Sequence, residues 1–409
     1  MFKINIIIME PTEIRVVVDN YHRRLNNVSL SFKRYLYSQI DWDVRMIGIK
    51  GARGVGKTTM LLQHILDNYK DVDQTLFVSL DDLWFSNHSL VELVEWASQH
   101  GIQRLYLDEV HRYPQWQLTL KNIYDNYPDM AIVYTGSSLL SIDYAVADLS
   151  RRQTLYTLHG MSFREYLEYE NTLSLSPLAL DDLLKNHVEY AMQITRDIKV
   201  LPLFEAYLEH GYYPFYKESA SDYLDRLKWT AQIAIDVDLP AVEDVSYATL
   251  LKVKRLLSLI SERVPFVPNM ASLWQELDTN NTLGLKMLYA LDRARILSLV
   301  SSKIKSYKHL SKPDKIFLNN TNLMYALCSK VDRGTERETF FQNQLSVGHE
   351  ISIPSQGDAL VDGRCLFEIG GKNKTFEQIK GLPDSYLAVA DTEIGHANRI
   401  PLWMFGMLY

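Results

Sequence analysis

The chain has 409 residues, 47% hydrophobic and 23% charged, the balance of an ordinary globular protein with room for two to four domains. Its net charge of −7 excludes an overall basic field that would attract nucleic acid, and its two distant cysteines exclude a disulfide framework. No stretch approaches the roughly 18 apolar residues of a spanning helix, and no small-residue cleavage site follows the apolar run 2–9, so we expect a cytoplasmic protein without a membrane partner.

The first part of the chain alternates helical and strand patterns. Residues 12–40 read as helices, with an amphipathic piece from Leu30 to Ile40. Short apolar runs then alternate with helical patterns up to Ser138, which predicts a parallel sheet with helices on both faces. The predicted strands are Arg45–Lys50, Thr75–Ser79, Arg104–Leu107 and Ala131–Thr135.

The segment after the first predicted strand has the G-x-x-x-x-G-K-[ST] pattern of a phosphate-binding loop. Its residues are Gly51, Ala52, Arg53, Gly54, Val55, Gly56, Lys57, Thr58 and Thr59. The glycines let backbone N–H groups point at a triphosphate, and the following helix N-terminus adds a positive dipole. Lys57 can then reach the β- and γ-phosphates, and the Thr58 hydroxyl can bind Mg²⁺. No guanine-reading Asn-Lys-x-Asp string occurs, so we expect ATP with Mg²⁺.

A second nucleotide signal ends the third predicted strand. There, an apolar run is followed by Asp108 and Glu109. We expect Asp108 to hold Mg²⁺ through water and Glu109 to accept a proton from the attacking water. The acidic pair alone is a weak signal, but downstream of a phosphate-binding loop it favours hydrolysis.

Polar residues also end the fourth predicted strand. Thr135 or Ser137 could orient the lytic water, or both could simply end the strand and cap the next helix. Further on, Arg151 and Arg152 could stabilise charge on the γ-phosphate, acting in their own chain or from a neighbouring subunit of a homo-oligomer. The alternative for this arginine pair is a solvated surface.

The remainder of the chain is first helical and then mixed. Long helical patterns include Ala179–Asp197 and Ala220–Ile235. Three helices and a strand follow, at Leu250–Glu262, Met270–Leu277, Thr282–Ala294 and Ile296–Val300. After a stretch with lysines at 303, 305, 308, 312 and 315, residues 318–409 predict a separate α+β unit.

Three segments carry a family resemblance: Tyr35 to Ile65, Leu-Asp-Glu-Val-His-Arg-Tyr-Pro at 107–114, and Tyr-Thr-Gly-Ser-Ser at 134–138. They resemble AAA-type ATPases of bacteria and archaea that join an ATPase core to a winged helix and a domain related to PD-(D/E)XK nucleases. The resemblance covers nearly the whole chain. It implies an α/β P-loop NTPase core over 1–165, a helical region over 166–245, a winged helix over 246–317 and an α+β nuclease-like domain over 318–409. In that family an arginine-containing string precedes a segment like 158–165, as Arg151 and Arg152 do here.

In the implied winged helix, Thr282–Ala294 would be the recognition helix. Its basic residues are only Lys286 and Arg293, so DNA binding is not favoured, because DNA readers carry more phosphate-binding charge. A lid or an interaction surface is the alternative role of this module. The lysines at 303–315 form either its wing or a solvated loop.

The resemblance also implies positions for a nuclease-type metal site. Glu338 matches the helical acid, Asp358 the strand aspartate and Glu368 the first residue of Glu-x-Lys. Gly370 stands where that lysine belongs, and Lys372 could replace it through a bulge. We therefore expect a nuclease fold that has lost its catalytic set.

The leading functional hypothesis is a Mg²⁺-dependent ATPase that couples hydrolysis to a conformational change or to a protein client that the sequence does not identify. One alternative is a slow-turnover nucleotide switch or scaffold. Another is an ATP-gated DNA-processing factor. Steady-state turnover separates the first two, and metal-dependent nicking tests the third.

Overall fold

The computed structural model of the protein describes residues 11–136, 149, 151–240, 245–264, 269–302 and 312–409. The chain divides into two compact units, one ending at Leu158 and one beginning at His159. The division lies near the predicted end of the first domain at residue 165. No helix in the described ranges is both long and apolar enough to cross a membrane.

The first unit contains a five-stranded, fully parallel sheet in the order β2-β3-β4-β1-β5. Its strands are β1 Met46–Lys50, β2 Thr75–Ser79, β3 Arg104–Asp108, β4 Ala131–Gly136 and β5 Thr154–Thr157. The flanking helices are α1 Pro11–Asn26, α2 Lys57–Asn68, α3 Leu90–Gln99 and α4 Trp116–Asn126. The middle strands are almost wholly buried, as expected for parallel strands covered by helices. The predicted P-loop type of sheet is therefore confirmed.

The helix predicted from Leu30 to Ile40 is wrong. Apart from a 3₁₀ turn at Tyr35–Ser38, this segment is irregular, because tertiary contacts satisfy its backbone instead. The side-chain amide of Gln63 donates to the carbonyls of Ser29 and Phe32, at 2.8 Å each. A backbone acceptor bonded in this way no longer needs a helical partner.

The second unit begins with helices. They are α5 Phe163–Tyr169, α6 Leu180–Asp197, α7 Val200–His210 and α8 Tyr223–Ile233, the last continuing into a π-helical turn at Ala234–Asp238. A capping box starts α5, since the Ser162 hydroxyl accepts from the Glu165 amide while the Glu165 carboxylate accepts from the Ser162 amide. The Ser-Phe-x-Glu string at 162–165 thus serves to begin this helix.

Three helices and a hairpin follow in the second unit. They are α9 Tyr247–Ser261, α10 Met270–Glu276, α11 Asn281–Arg293, and the antiparallel strands β6 Leu297–Val300 and β7 Lys315–Leu318. Each observed boundary is within a few residues of the predicted one. Lys303, Lys305 and Lys308 lie outside the described residues.

The unit ends with a second sheet in the order β12-β11-β10-β9-β8. Its elements are α12 Thr321–Leu327, α13 Arg333–Leu345, β8 Ile351–Ser352, β9 Ala359–Val361, β10 Cys365–Gly370, β11 Ser385–Val389 and β12 Arg399–Pro401. The sheet is mixed, because β10 pairs antiparallel with β9 and parallel with β11. The predicted mixed α/β region at the end of the chain is therefore present.

Candidate functional site

The phosphate-binding loop leaves the carboxyl end of β1 and leads directly into α2. Gly54 and Gly56 have φ of 84° and 95°, a left-handed conformation that glycine adopts without strain. A Cβ on Gly51 would lie 2.3 Å from the carbonyl oxygen of Leu158, so the chain can approach this closely only at a glycine. The loop therefore has the backbone shape that its sequence pattern predicts.

Two basic side chains bind the carbonyl groups of this loop. The Lys57 ammonium donates to the carbonyls of Gly51 and Ala52, at 2.9 Å each, and the residue is 5% exposed. Arg34, also buried, donates to the carbonyl of Val55 from the irregular segment before β1. No local sequence pattern links Arg34 to the loop, so this contact was not predictable from the sequence.

Thr58, Asp108 and Thr135 meet at the carboxyl edge of the sheet. The Thr58 hydroxyl donates to Oδ2 of Asp108 at 2.6 Å, and the Thr135 hydroxyl donates to Oδ1 of the same carboxylate. The three residues belong to α2, β3 and β4, whose order in the sheet brings them together. Asp108 thus carries a hydroxyl on each of its oxygens.

Opposing influences act on the Asp108 carboxyl group. Burial and the charge of Glu109 raise its pKa, while the two threonine hydroxyls and Lys57 act in the opposite direction. A buried carboxylate beside a second carboxylate is stabilised by added positive charge. The electrostatics of this edge therefore suit a cation.

Glu109 follows Asp108 in a left-handed backbone conformation, with φ of 53°. A 3₁₀ turn at Val110–Arg112 begins directly after it. The Glu109 amide donates to the Thr135 hydroxyl at 3.4 Å, and its carboxylate Oε2 lies 3.5 Å from Nε2 of His111. The Glu109 side chain is 17% exposed, so a small molecule can reach it from solvent.

The other predicted catalytic residues are not all brought to this edge. Arg152 forms a bidentate ion pair with Asp125 of α4, at 2.9 and 3.0 Å. It lies two residues before β5, whose first residue pairs with Ile47 near the amino end of β1. Arg151 precedes it, so the backbones of both arginines lie at the edge opposite the loop. Ile47 and the start of the loop at Gly51 are four residues apart along the strand, which is about 13 Å. Ser137 lies outside the described residues.

The oxygen atoms at this edge suit a Mg²⁺ ion that arrives with a nucleotide. No three His, Cys, Asp or Glu side chains of the described ranges lie close enough to hold a metal ion by themselves. Mg²⁺ commonly takes one or two carboxylates from the protein and its other ligands from water and substrate phosphates. The Thr58 hydroxyl and the Asp108 carboxylate therefore fit this ion.

The second predicted metal site, in the last part of the chain, has its three carboxylates engaged with other groups. Glu338 of α13 pairs with Lys315 of β7. Asp358 accepts from the amide of Ile369 at 2.7 Å, and the fully buried Glu368 pairs with Lys374. Every one of these carboxylates thus has a protein partner.

Lys374 occupies the space that the missing side chain at position 370 would take. A Cβ built on Gly370 would lie 2.7 Å from Cδ of Lys374. Burial works against the charge of Lys374, but Glu368, Asp358 and Glu338 hold its pKa above the ordinary value. Lys372, the predicted substitute, instead offers its backbone carbonyl to Arg399. The only sign of this arrangement in the sequence is Gly370, whose missing side chain leaves room for that of Lys374.

Comparison with known proteins finds a sequence match that covers most of the first unit. Residues 43–167 match the family model of an AAA domain. An uncharacterized protein of Methanocaldococcus jannaschii is 26% identical over 290 residues, which are 66% of this chain and 60% of the relative. The match thus spans less than two thirds of that relative's own length.

Two solved structures are similar over most of the chain. A Walker-type ATPase of Pyrococcus abyssi has a TM-score of 0.40 and 11% identity, covering 72% of this chain and 95% of that one. AMPPCP-bound DnaA from Aquifex aeolicus has a TM-score of 0.24 and 15% identity, covering 70% of this chain and 89% of that one. Both TM-scores are low. The P-loop sheet lies within residues 43–167, the part of the chain that matches the AAA-domain model.

Proposed function

We propose that the protein is a Mg²⁺-dependent ATPase whose reaction takes place at the carboxyl edge of the first sheet. The observation that carries this proposal is the 2.6 Å contact between the Thr58 hydroxyl and Asp108. It joins the phosphate-binding loop to the acidic end of β3 beside a reachable Glu109. The AAA-domain match over 43–167 supports the same function.

The residues of the loop bind the nucleotide. Its backbone amides and the N-terminus of α2 face the phosphates, and Lys57 exchanges its two carbonyl partners for phosphate oxygens. Thr58 and Asp108 hold Mg²⁺, which when bound neutralises charge on the phosphates. The absence of a guanine-reading string supports adenine as the base.

Glu109 acts as the general base toward the attacking water. A general base needs a carboxylate that reaches the substrate and keeps a fixed direction. The left-handed backbone and the amide contact with Thr135 supply that direction. Thr135 links Asp108 and Glu109, because its hydroxyl donates to the Asp108 carboxylate and accepts from the Glu109 amide.

The arginines fit the proposal only in an oligomer. Arg152 is paired with Asp125 at the opposite edge, so neither it nor Arg151 serves the loop of its own chain. We propose that they act on the nucleotide of a neighbouring copy. ATP-dependent oligomerisation that is lost in Arg152→Ala would support this role.

The second unit carries two further proposals. Three helices and a hairpin support a winged-helix module over 246–317. Its helix α11 exposes only Asn281, Thr282 and Lys286, which favours an interaction surface over DNA reading. The lysine-paired carboxylates support a nuclease-like domain over 318–409 without nuclease activity. Metal-dependent DNA nicking that disappears in Asp358→Ala would contradict the last proposal.

Steady-state hydrolysis of ATP by the full chain tests the ATPase proposal. Glu109→Gln keeps the shape of the side chain but removes the base, so kcat should fall by about 10²- to 10⁴-fold while ATP still binds. The matched control is Glu262→Gln, an exposed glutamate of the second unit, which should keep wild-type turnover. Wild-type protein that binds ATP but does not turn it over would favour the switch hypothesis instead.

A further inference from the structure

We propose that His111 is a positioning residue that holds the Glu109 carboxylate in its reactive direction. This inference rests on the proposed ATPase function and deepens it. The side chain of His111 is wholly buried, and its Nε2 lies 3.5 Å from Oε2 of Glu109. An imidazole N–H aimed at a carboxylate fixes the side chain without taking its proton-accepting role.

The local fold explains why these two residues meet. The 3₁₀ turn at Val110–Arg112 reverses the chain directly after Glu109, and the amide of Arg112 donates to the Glu109 carbonyl at 2.9 Å. Residues two apart on an ordinary helix do not face each other. The left-handed φ of Glu109 changes the direction of the chain and lets His111 fold back.

The geometry gives Glu109 two points of attachment. Its amide donates to the Thr135 hydroxyl at 3.4 Å, and its carboxylate lies 3.5 Å from the His111 ring nitrogen. A left-handed conformation at a residue other than glycine is energetically unfavourable. The fold bears this cost at the residue whose side-chain direction matters most for the reaction.

Electrostatics also favour a donor at this place. The charges of Asp108 and Glu109 act on each other, as the effect of Glu109 on the pKa of Asp108 shows. An N–H donated by His111 to the Glu109 carboxylate would offset this repulsion. The 3.5 Å distance is long for a hydrogen bond, and such contacts often tighten when substrate binds.

Two variants separate positioning from packing. His111→Gln keeps an N–H donor near the position of Nε2, whereas His111→Leu keeps a buried side chain without a donor. We expect His111→Leu to lower kcat about 10- to 100-fold with little change in KM. His111→Gln should keep most of the wild-type kcat, because it keeps the donor. Affinity for a fluorescent ATP analogue with Mg²⁺ should stay unchanged in both.

The same substitution in a second background completes the test. Because His111 acts through Glu109, single-turnover rates of Glu109→Gln and Glu109→Gln/His111→Leu should be equal. Equal losses in both backgrounds, or a loss seen in KM and ATP affinity, would overturn the inference. So would wild-type kcat in His111→Leu, with the ATPase proposal left standing. A wild-type chain without turnover would instead refute the ATPase proposal, and the positioning role with it.

Discussion

The hydroxyl of Thr58 donates a 2.6 Å hydrogen bond to Asp108, a residue 50 positions further along the chain. Thr58 lies in the first turn of α2 and Asp108 ends β3, and β4 lies between β1 and β3 in the sheet. A contact across an intervening strand forms only when the carboxyl ends of all three strands are level. The register of the sheet therefore brings the Thr58 hydroxyl and the Asp108 carboxylate close enough to bind the same metal ion.

This contact predicts how substitutions of Thr58 change the Mg²⁺ dependence of hydrolysis. Thr58→Ala removes the hydroxyl that bonds to the buried Asp108, and a hydrogen bond to a charged group is worth about 1.5–3 kcal/mol. The Mg²⁺ concentration for half-maximal hydrolysis should rise about tenfold or more. Thr58→Ser keeps the hydroxyl and should behave like wild type. Equal Mg²⁺ dependence of the two variants would argue against the contact as a metal site.

Glycines of the second unit give a prediction about stability. A Cβ on Gly160 would lie 2.1 Å from Cε1 of the buried Tyr212, so Gly160→Ala must displace an aromatic ring. The free energy of unfolding should fall by about 1–3 kcal/mol, as in other overpacked cores. Gly348→Ala is the matched control, because a Cβ there meets nothing within 4 Å. Chemical denaturation measures both, and similar losses would contradict the packing argument.

The strands and the phosphate loop were predictable because their signals are local. Parallel strands under helices are continuously apolar, and all four predicted strands lie within one residue of the observed ends. The strand β5 at Thr154–Thr157 was missed, since it is short, half-buried and at the sheet edge. What β5 lacks is the buried apolar run that marks the other strands, including the second edge strand, β2.

The missed parts of the site depend on contacts between distant segments or on backbone direction. Arg34 reaches the carbonyl of Val55 from an irregular segment that periodicity assigned to a helix. His111 meets Glu109 only because the backbone at Glu109 is left-handed, and no residue type announces that conformation there. Lys374 takes the place of a side chain absent at Gly370. Spacing in the sequence reports none of these relationships.

Buried His64 predicts a dependence of stability on pH. It stacks on Trp42 with a centroid distance of 3.8 Å, its Nδ1 lies 2.7 Å from the Tyr106 hydroxyl, and burial lowers its pKa from 6.5 to about 4. The fold therefore favours neutral His64. Its contribution to stability is complete above pH 6.5 and is lost as the pH falls toward 4.

His64→Phe isolates this contribution, because phenylalanine does not titrate. As the pH falls from 7 to 4.5, the unfolding free energy of wild type should decrease relative to that of His64→Phe. Leu118→Ala, an exposed change that involves no titratable group, serves as the control, and its difference from wild type should stay the same at every pH. Urea denaturation at several pH values gives these differences. A constant difference for His64→Phe would show that its burial does not disfavour the charged form.

The pair of Lys374 and Glu368 predicts how the stability of the second unit depends on a buried ion pair. Glu368 is fully buried, and Gln378, with its amide nitrogen turned inward, lies 3.0 and 3.2 Å from the two carboxylate oxygens. Breaking a buried pair costs about 3–5 kcal/mol. Because the Lys374 side chain is 30% exposed, we expect a smaller loss of about 2 kcal/mol for Lys374→Met.

Removing the charge of Glu368 as well should reverse most of that loss. Glu368→Gln/Lys374→Met leaves no buried charge without a counterion, so its unfolding free energy should return toward wild type. Arg364→Met breaks an exposed pair with Asp181 and should change stability little. If the double variant is less stable than Lys374→Met, the lysine stabilises the domain by packing into the space beside Gly370. If the single variant matches wild type, the Gln378 amide suffices to hold the carboxylate.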